Sequence, residues 1–212
     1  MPELIIVAGS FGFFCQFFLI FLKLIPMVAI AEVKELASLR DTDPLVADLL
    51  AMQEPEGLWN RGELAARSSM IRTTSLALTR LGYLGYGPDH PSVRRGAEHL
   101  FSLQQANGSW PLPDRRQESE EHEGYSMIPL QTAIPLRGLA ACGYATDPRA
   151  ERAYEWLLAK RLPDGAWPTG IASGNYGYVA GYRKMPHSRW GCRSNTTGAL
   201  SCLALHPARR NG

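Results

Sequence analysis

The chain has 212 residues, a formal net charge of +2 and an apolar fraction of 45%, a composition typical of a folded globular protein with a sizeable core. Its arginines and lysines are scattered and form no basic stripe, so the sequence gives no argument for nucleic-acid binding. The four cysteines form no Cys-x-x-Cys pair, and buried reduced thiols in a cytosolic setting explain them best.

The first segment differs from the rest of the chain. Leu4 to Leu22 is 19 residues without a charge and holds six of the seven phenylalanines. That length suits a transmembrane helix, which needs about 20 apolar residues. We therefore predict a hydrophobic N-terminal helix within residues 1–26 that anchors the protein in a membrane. Positive charges follow the segment and none precedes it, so the body would be cytoplasmic. A signal peptide, a buried helix of a cytoplasmic protein and a misassigned start are the alternatives.

Residues 27–212 show helical periodicity, which predicts one all-α domain. Aspartate followed by proline predicts helix starts at Asp43-Pro44 and Asp147-Pro148, and Ser194 to Thr197 is predicted to cap the last helix. Pro135 is expected to kink its helix. The predicted helices are 27–40, Pro44–Gln53, Glu63–Leu81, a helix from residues 88–91 to Gln105, Ile128–Cys142, Ala150–Lys160 and Gly198–Leu205.

One pattern recurs after every second helix. It reads Gln53-x-x-x-Gly57-x-Trp59, then Gln104-x-x-x-Gly108-x-Trp110, and, with arginine in the glutamine position, Arg161-x-x-x-Gly165-x-Trp167. The glycines are 51 and 57 residues apart, and recurrence at such an interval indicates a repeat architecture. Glycine accepts the left-handed conformation that ends a helix, and the tryptophan can then pack back over that end. The glutamine is expected to bond a helix end of the neighbouring repeat.

Two linkers interrupt the repeats. Residues 114–124 are highly charged and are predicted to form a mobile loop. Residues 169–193 form the longest non-helical stretch, and a loop of that length within a domain is usually functional or disordered. Its aromatic residues argue against disorder. They are Tyr176, Tyr178, Tyr182 and Trp190.

Gln-x-x-x-Gly-x-Trp turns on helical hairpins of this period resemble the superfamily of squalene/hopene cyclases and protein prenyltransferase β-subunits. The resemblance covers about residues 41–206 and implies an α/α toroid, in which inner helices surround an apolar cavity. Glu63–Leu81, Ile128–Cys142 and Gly198–Leu205 would be inner helices. The chain holds about three and a half hairpins, so we predict a partial toroid: a fragment of a larger cyclase, an open arc, or a ring completed by a partner chain or by self-association.

The chemistry implied by the resemblance is less evident in the residues. The cyclases protonate their substrate with an Asp-x-Asp-Asp motif, and the nearest match, Asp41-Thr42-Asp43, is better explained as a helix cap. The prenyltransferases hold zinc through Asp, Cys and His. Cys192, Cys202 and His206 lack the aspartate of that arrangement, so we expect neither zinc nor another cofactor.

Two functions remain. The first is an isoprenoid cyclase or prenyltransferase-like enzyme that binds an apolar small molecule. Tyr176, Tyr178, Tyr182 and Trp190 would then line the ligand, and His187 would be the one candidate general acid or base. We expect these residues at the inner-helix end that the linkers enter, with Trp110 and Trp167 behind them as structure. The second is a non-catalytic helical-repeat scaffold, in which the loop only plugs the ring.

Overall fold

The computed structural model describes residues 43–59, 67–110, 129–169, 171–172, 175–176 and 183–209. The chain separates into two compact units, Met1–Ala47 and Asp48–Gly212. The six described helices are α1 (Pro44–Ala51), α2 (Arg67–Tyr83), α3 (Pro91–Ser102), α4 (Pro129–Leu139), α5 (Pro148–Ala159) and α6 (Arg193–Leu203). A π-helical segment, Ala140–Tyr144, continues α4. The prediction of an all-α fold is confirmed.

Proline at the first helical position marks four of these helices. α1, α3, α4 and α5 begin at Pro44, Pro91, Pro129 and Pro148, where the missing N–H costs nothing. The carboxylate of Asp43 accepts a hydrogen bond from the Leu45 amide at 2.8 Å, and Asp147 accepts one from Arg149 at the same distance. These aspartates satisfy amide groups that would otherwise lack a partner, as their position before proline predicts.

The even-numbered helices pack side by side and form the inner row of the second unit. α4 lies between α2 and α6 and packs closely on both. A β-carbon on Gly138 of α4 would lie 2.6 Å from the Ser75 carbonyl oxygen of α2, and one on Gly198 of α6 would lie 2.6 Å from Leu130 of α4. Glycine therefore allows these helix axes to approach more closely than larger residues would. α3 packs on α2 and α5 on α4, as outer helices.

The last helix begins earlier than predicted. Ser194 to Thr197 are predicted to precede the helix as a cap, but α6 starts at Arg193, and Cys192 is its N-cap. The prediction is wrong because these polar side chains bond other elements rather than their own helix end. Asn195 accepts from the Leu130 amide at 2.8 Å, and Thr196 accepts from the Trp167 amide at 3.0 Å.

The long linker contributes the described strands. β1 (Ile171–Ala172) and β2 (Asn175–Tyr176) pair antiparallel, with Ile171 opposite Tyr176. Pro135 lies inside α4, as the sequence predicts.

Several predictions fall on residues that the structure does not describe. The proposed anchor at residues 4–22, the domain boundary at residue 26, the helix 27–40 and the charged loop 114–124 all lie outside the described ranges. Among the helices that are described, none has both the length and the apolar character needed to cross a bilayer.

Candidate functional site

Each of the three Gly-x-Trp turns makes the same contacts to the hairpin that contains it. We call residues 53–59, 104–110 and 161–167 the first, second and third turn. In each turn the indole N–H donates to a carbonyl ten residues earlier in the preceding outer helix. Trp59 donates to Leu49 at 2.7 Å, Trp110 to Leu100 at 2.8 Å and Trp167 to Leu157 at 2.7 Å. Each glycine has a φ near 90°, which directs the chain back over the helix end.

A threonine of the following inner helix completes each turn. The backbone amides of Trp59, Trp110 and Trp167 donate to the hydroxyls of Thr74, Thr132 and Thr196 at 3.0–3.2 Å. The sequence analysis did not identify these threonines. They follow their tryptophans by 15, 22 and 29 residues, because the linkers differ in length, so no fixed spacing reveals them. The available signal was a threonine within the first two predicted inner helices and just before the third.

The first two turns also hold the start of the next outer helix. Gln53 donates to the carbonyl of its own Gly57 at 3.0 Å and to that of Ser92 at 2.8 Å. Gln104 does the same, to Gly108 at 2.9 Å and to Arg149 at 3.0 Å. Ser92 and Arg149 are both the second residue of their helix, so one side chain satisfies a turn and joins two repeats.

The third turn lacks that second connection among the described residues. Arg161 stands in the glutamine position and donates to the Gly165 carbonyl at 3.3 Å. Its guanidinium lies over the Trp167 ring, 5.7 Å from the centroid. Gly57 and Gly108 are buried, whereas Gly165 is only half-buried, and Arg161 is exposed. The contacts of this turn to its own hairpin are thus the same as in the others, but within the described ranges no helix start covers its other side.

The end of the long linker folds against the third turn. Pro168 and Gly191 form an antiparallel bridge, and the Cys192 amide donates to the Trp167 carbonyl at 2.7 Å. The hydrogen bond from Ser188 keeps the pKa of the Asp164 carboxyl below its usual range. These contacts place His187 and Trp190 at the entrance to α6. The His187 side chain is exposed and that of Trp190 is half-buried.

A second surface with chemical interest lies on the inner helices, turned away from the outer ones. We call it the inner face, and it comprises Leu76 and Tyr83 of α2 with Ile134 and Arg137 of α4. Leu76 is 44% exposed and Tyr83 59%, and Ile134 and Arg137 are half-exposed. Arg137 donates to the Tyr83 hydroxyl at 3.0 Å with its guanidinium over the ring. Arg72 and Arg80 are also exposed, four residues before and after Leu76 on α2. The face therefore combines apolar area with positive charge.

Comparison with known proteins places this helical array in a family. A model of the squalene-hopene cyclase C-terminal domain matches residues 20–182, about three quarters of the chain. The chain belongs to this family. It is 32% identical to the squalene–hopene cyclase of Bradyrhizobium diazoefficiens over 125 residues, which are 58% of this chain and 18% of that protein. It is 30% identical to the probable squalene–hopene cyclase of Sinorhizobium fredii over 126 residues, 58% of this chain and 19% of that protein.

The chain thus spans less than a fifth of the length of these two squalene–hopene cyclases. The family confirms the resemblance drawn from the Gly-x-Trp turns and makes the chain a terpenoid-cyclase-like protein. The match includes most of the long linker and ends at residue 182, before His187 and Trp190.

The predicted ligand residues of this cyclase-like chain are only partly visible. Tyr176 lies in β2, its side chain is outside the described part of the structure, and Tyr178 and Tyr182 fall outside it entirely. His187 and Trp190 lie beside the third turn. The grouping of all five aromatic and histidine residues into one site therefore stays a prediction.

Two of the residues weighed as zinc ligands, Cys202 and His206, have other partners. Burial raises the pKa of the Cys202 thiol to about 12, and this thiol donates to the Ala133 carbonyl at 2.8 Å. The His206 ring lies 2.7 Å from a carboxylate oxygen of Glu151. Within the described ranges, no group of three or more His, Cys, Asp or Glu side chains is placed to hold a metal ion.

Proposed function

We propose that this protein binds an isoprenoid or another apolar small molecule against its inner face, as part of a terpenoid-cyclase-like assembly. The observation that carries the proposal is the exposure of Leu76, Tyr83 and Ile134 on adjacent inner helices. Neighbouring exposed apolar side chains on one face mark an interaction surface, and a single exposed leucine would not. Membership of the squalene-hopene cyclase family supports an isoprenoid as the class of ligand.

The same surface argues that binding, rather than carbocation chemistry, is its role. Arg137 already places a positive charge over the Tyr83 ring. A cationic intermediate beside that ring would be repelled by the guanidinium, which offsets the cation–π attraction that such chemistry uses. The guanidinium would instead favour an anionic headgroup. In an isoprenoid diphosphate the diphosphate would meet the guanidinium, and the apolar chain would meet the apolar side chains of the inner face.

His187 remains the candidate acid or base, but its surroundings favour a binding or plugging role for the loop. Protonation of an alkene requires a strong acid in a site from which water is excluded. The His187 side chain is exposed to solvent. Asp43, the last residue of the Asp41-Thr42-Asp43 segment, caps α1 through its carboxylate. These observations support the alternative of a non-catalytic binding protein at the level of this chain.

The test is ligand binding to the purified full chain, with an isoprenoid diphosphate and a squalene analogue as separate ligands. The central variant is Leu76→Ser. Its matched control is Leu103→Ser, which changes another leucine, 37% exposed, after the outer helix α3. Loss of one apolar contact should weaken binding by about tenfold in the first variant only. Equal affinities for the parent and Leu76→Ser, or equal losses in both variants, would refute the inner face as the binding surface.

The loop is tested in the same assay with a His187→Ala/Trp190→Ala variant. Weaker binding than the parent, with an unchanged melting temperature, supports a direct part in the site. Unchanged binding together with a lower melting temperature indicates that this loop end is a structural plug on the third turn.

We further propose that residues 4–22 anchor the protein in a membrane with its body on the cytoplasmic side. The support is the uncharged, phenylalanine-rich composition of this segment and the positive charges that follow it. The full chain should sediment with membranes and resist a high-salt wash, and deletion of residues 1–26 should release it. Recovery of the full chain in the soluble fraction contradicts the anchor.

A further inference from the structure

On the side of each turn that faces away from its own hairpin there is a place, here called a seat, for the start of an α-helix, and no residue in the described part of the chain fills the seat of the third turn. In the first two turns this seat is filled in the same way. A β-carbon on Gly57 would lie 2.4 Å from the carbonyl oxygen of Arg95, and one on Gly108 would lie 2.4 Å from that of Arg152. Arg95 and Arg152 are both the fifth residue of a helix that begins with proline. At Gly165 the nearest described neighbour is instead the end of the Arg161 side chain, at 3.3 Å.

α1 is built like the two helices that fill such seats. It too begins with proline, so Leu45 is its second residue and Asp48 its fifth. Leu45 is 76% exposed, and Asp48 is also exposed.

The charges of the open seat and of α1 are complementary. In the filled first seat, the side-chain oxygen of Gln53 accepts a hydrogen bond from the Arg95 guanidinium at 2.7 Å. The third seat carries Arg161 in the glutamine position, and α1 carries Asp48 in the arginine position. Donor and acceptor are exchanged together, so an arginine–carboxylate pair replaces the glutamine–arginine pair.

The sixth residue of each proline-led outer helix also differs between the first two seats and α1, and its size agrees with the exchange of donor and acceptor. It is Gly96 in α3 and Ala153 in α5, and a β-carbon on Gly96 would lie only 2.8 Å from the Trp59 ring. In α1 the sixth residue is the larger Leu49. Arg161 lies over Gly165 and Trp167, so a helix seated there contacts the guanidinium and stays farther from the turn. The bulkier residue therefore suits the third seat and would not suit the first two.

Of the helices that the structure describes, only α4 makes close contact with α6. Leu200 of α6 is 53% exposed. It lies two residues from both Gly198 and Cys202, which face α4, and therefore on the opposite side of the helix. An exposed apolar side chain on the side of α6 turned away from α4 is what a stacked neighbour would cover.

We propose that α1 of one copy of this protein docks on the third turn of a second copy, with Asp48 of the first paired to Arg161 of the second. The contact is head-to-tail, because the two surfaces are different parts of the chain. It repeats between molecules the arrangement that joins consecutive hairpins within one molecule. It is independent of the proposed ligand.

The test is the association state of the full chain in mild non-ionic detergent, measured by sedimentation over a wide range of concentration at low salt. The parent should associate with increasing concentration. Arg161→Glu and Asp48→Arg each place like charges opposite one another and should weaken association by about tenfold or more. Arg80→Glu, which makes the same change of charge at an exposed site of α2, should leave it unchanged.

Two restorations separate this contact from general damage to the fold. The double variant Asp48→Arg/Arg161→Glu should associate like the parent, because the pair is re-formed with its charges exchanged. An equimolar mixture of the two single variants should associate as well, since each copy then meets a complementary neighbour.

Three results would overturn the proposal. The first is a parent protein that stays monomeric at every concentration. The second is association that neither single substitution weakens, which would indicate contact through the apolar N-terminal segment. The third is failure of both restorations while the variants keep the parent's melting temperature.

Discussion

Replacing one turn glycine at a time with alanine distinguishes two contributions to the loss of stability. One is backbone strain within the turn, and the other is the steric contact between neighbouring repeats. Gly108 has a φ of 91° and Gly165 one of 88°, so alanine at either position costs about 1–2 kcal/mol of backbone strain. At Gly108 the new β-carbon would also lie 2.4 Å from the Arg152 carbonyl oxygen, a backbone atom that cannot move without α5. Overpacking of this kind costs about 1–3 kcal/mol more. At Gly165 the nearest described atom ends a flexible side chain, 3.3 Å away, and can yield.

We therefore expect Gly108→Ala to lower the free energy of unfolding by about 2–5 kcal/mol and Gly165→Ala by about 1–2 kcal/mol. The measurement is urea unfolding followed by tryptophan fluorescence, with the denaturant dependence compared between variants to confirm that the same transition is observed. Equal losses for the two variants would refute the reasoning, because they would show that the third seat is as tightly filled as the second.

Three further perturbations test the same turns and the surface around them. Trp110→Ala should cost about 3–5 kcal/mol in urea unfolding, since this side chain is fully buried, and a loss under about 1 kcal/mol would contradict its structural role. Gln104→Ala should lower the free energy of unfolding by about 1–3 kcal/mol because two carbonyls lose their donor, while Arg161→Ala should change it by less than about 0.5 kcal/mol. Similar losses in the two variants would contradict the open seat. The hydrogen bond from Arg149 holds the pKa of Glu98 below its usual range, so the stability that this pair contributes is present at neutral pH and lost as pH falls through that lowered pKa. Arg149→Met should thus flatten the acid side of a melting-temperature profile, and an unchanged profile argues against the pair.

The turns could be predicted because their cause is local. A glycine that ends a helical pattern and a tryptophan two positions later need only the preceding helix as a partner, and the indole donates to that helix in all three turns. The proline-led starts of the outer helices are equally local. Family membership followed from the recurrence of these local features.

The features that sequence reasoning missed depend on residues far apart in the chain. Thr196 was read as a cap for its own helix, but its hydroxyl accepts from Trp167, 29 residues earlier. Asn195 was read in the same way and accepts from Leu130, 65 residues earlier. Polar residues before an apolar helix indicate a cap only when nothing else competes for them. The inner face was missed for a related reason, since its membership depends on how the inner helices pack.

The three turns separate two kinds of stabilisation that repeat proteins usually combine. The indole and threonine bonds are present in every turn and lie within one hairpin. The glutamine bonds and the close glycine contacts join one hairpin to the next, and in the described part of the chain they occur at the first two turns only. In a linear array, the first kind sets the intrinsic stability of a repeat and the second sets the coupling between neighbours. Substitutions of Trp110 should therefore lower the stability of the whole transition. Substitutions of Gln104 should weaken the coupling across the second turn, and with enough loss the hairpins on either side would unfold separately. Because the described residues give the third turn the intrinsic bonds and no coupling ones, its exposed Arg161 is where a further helix would add stability to the array.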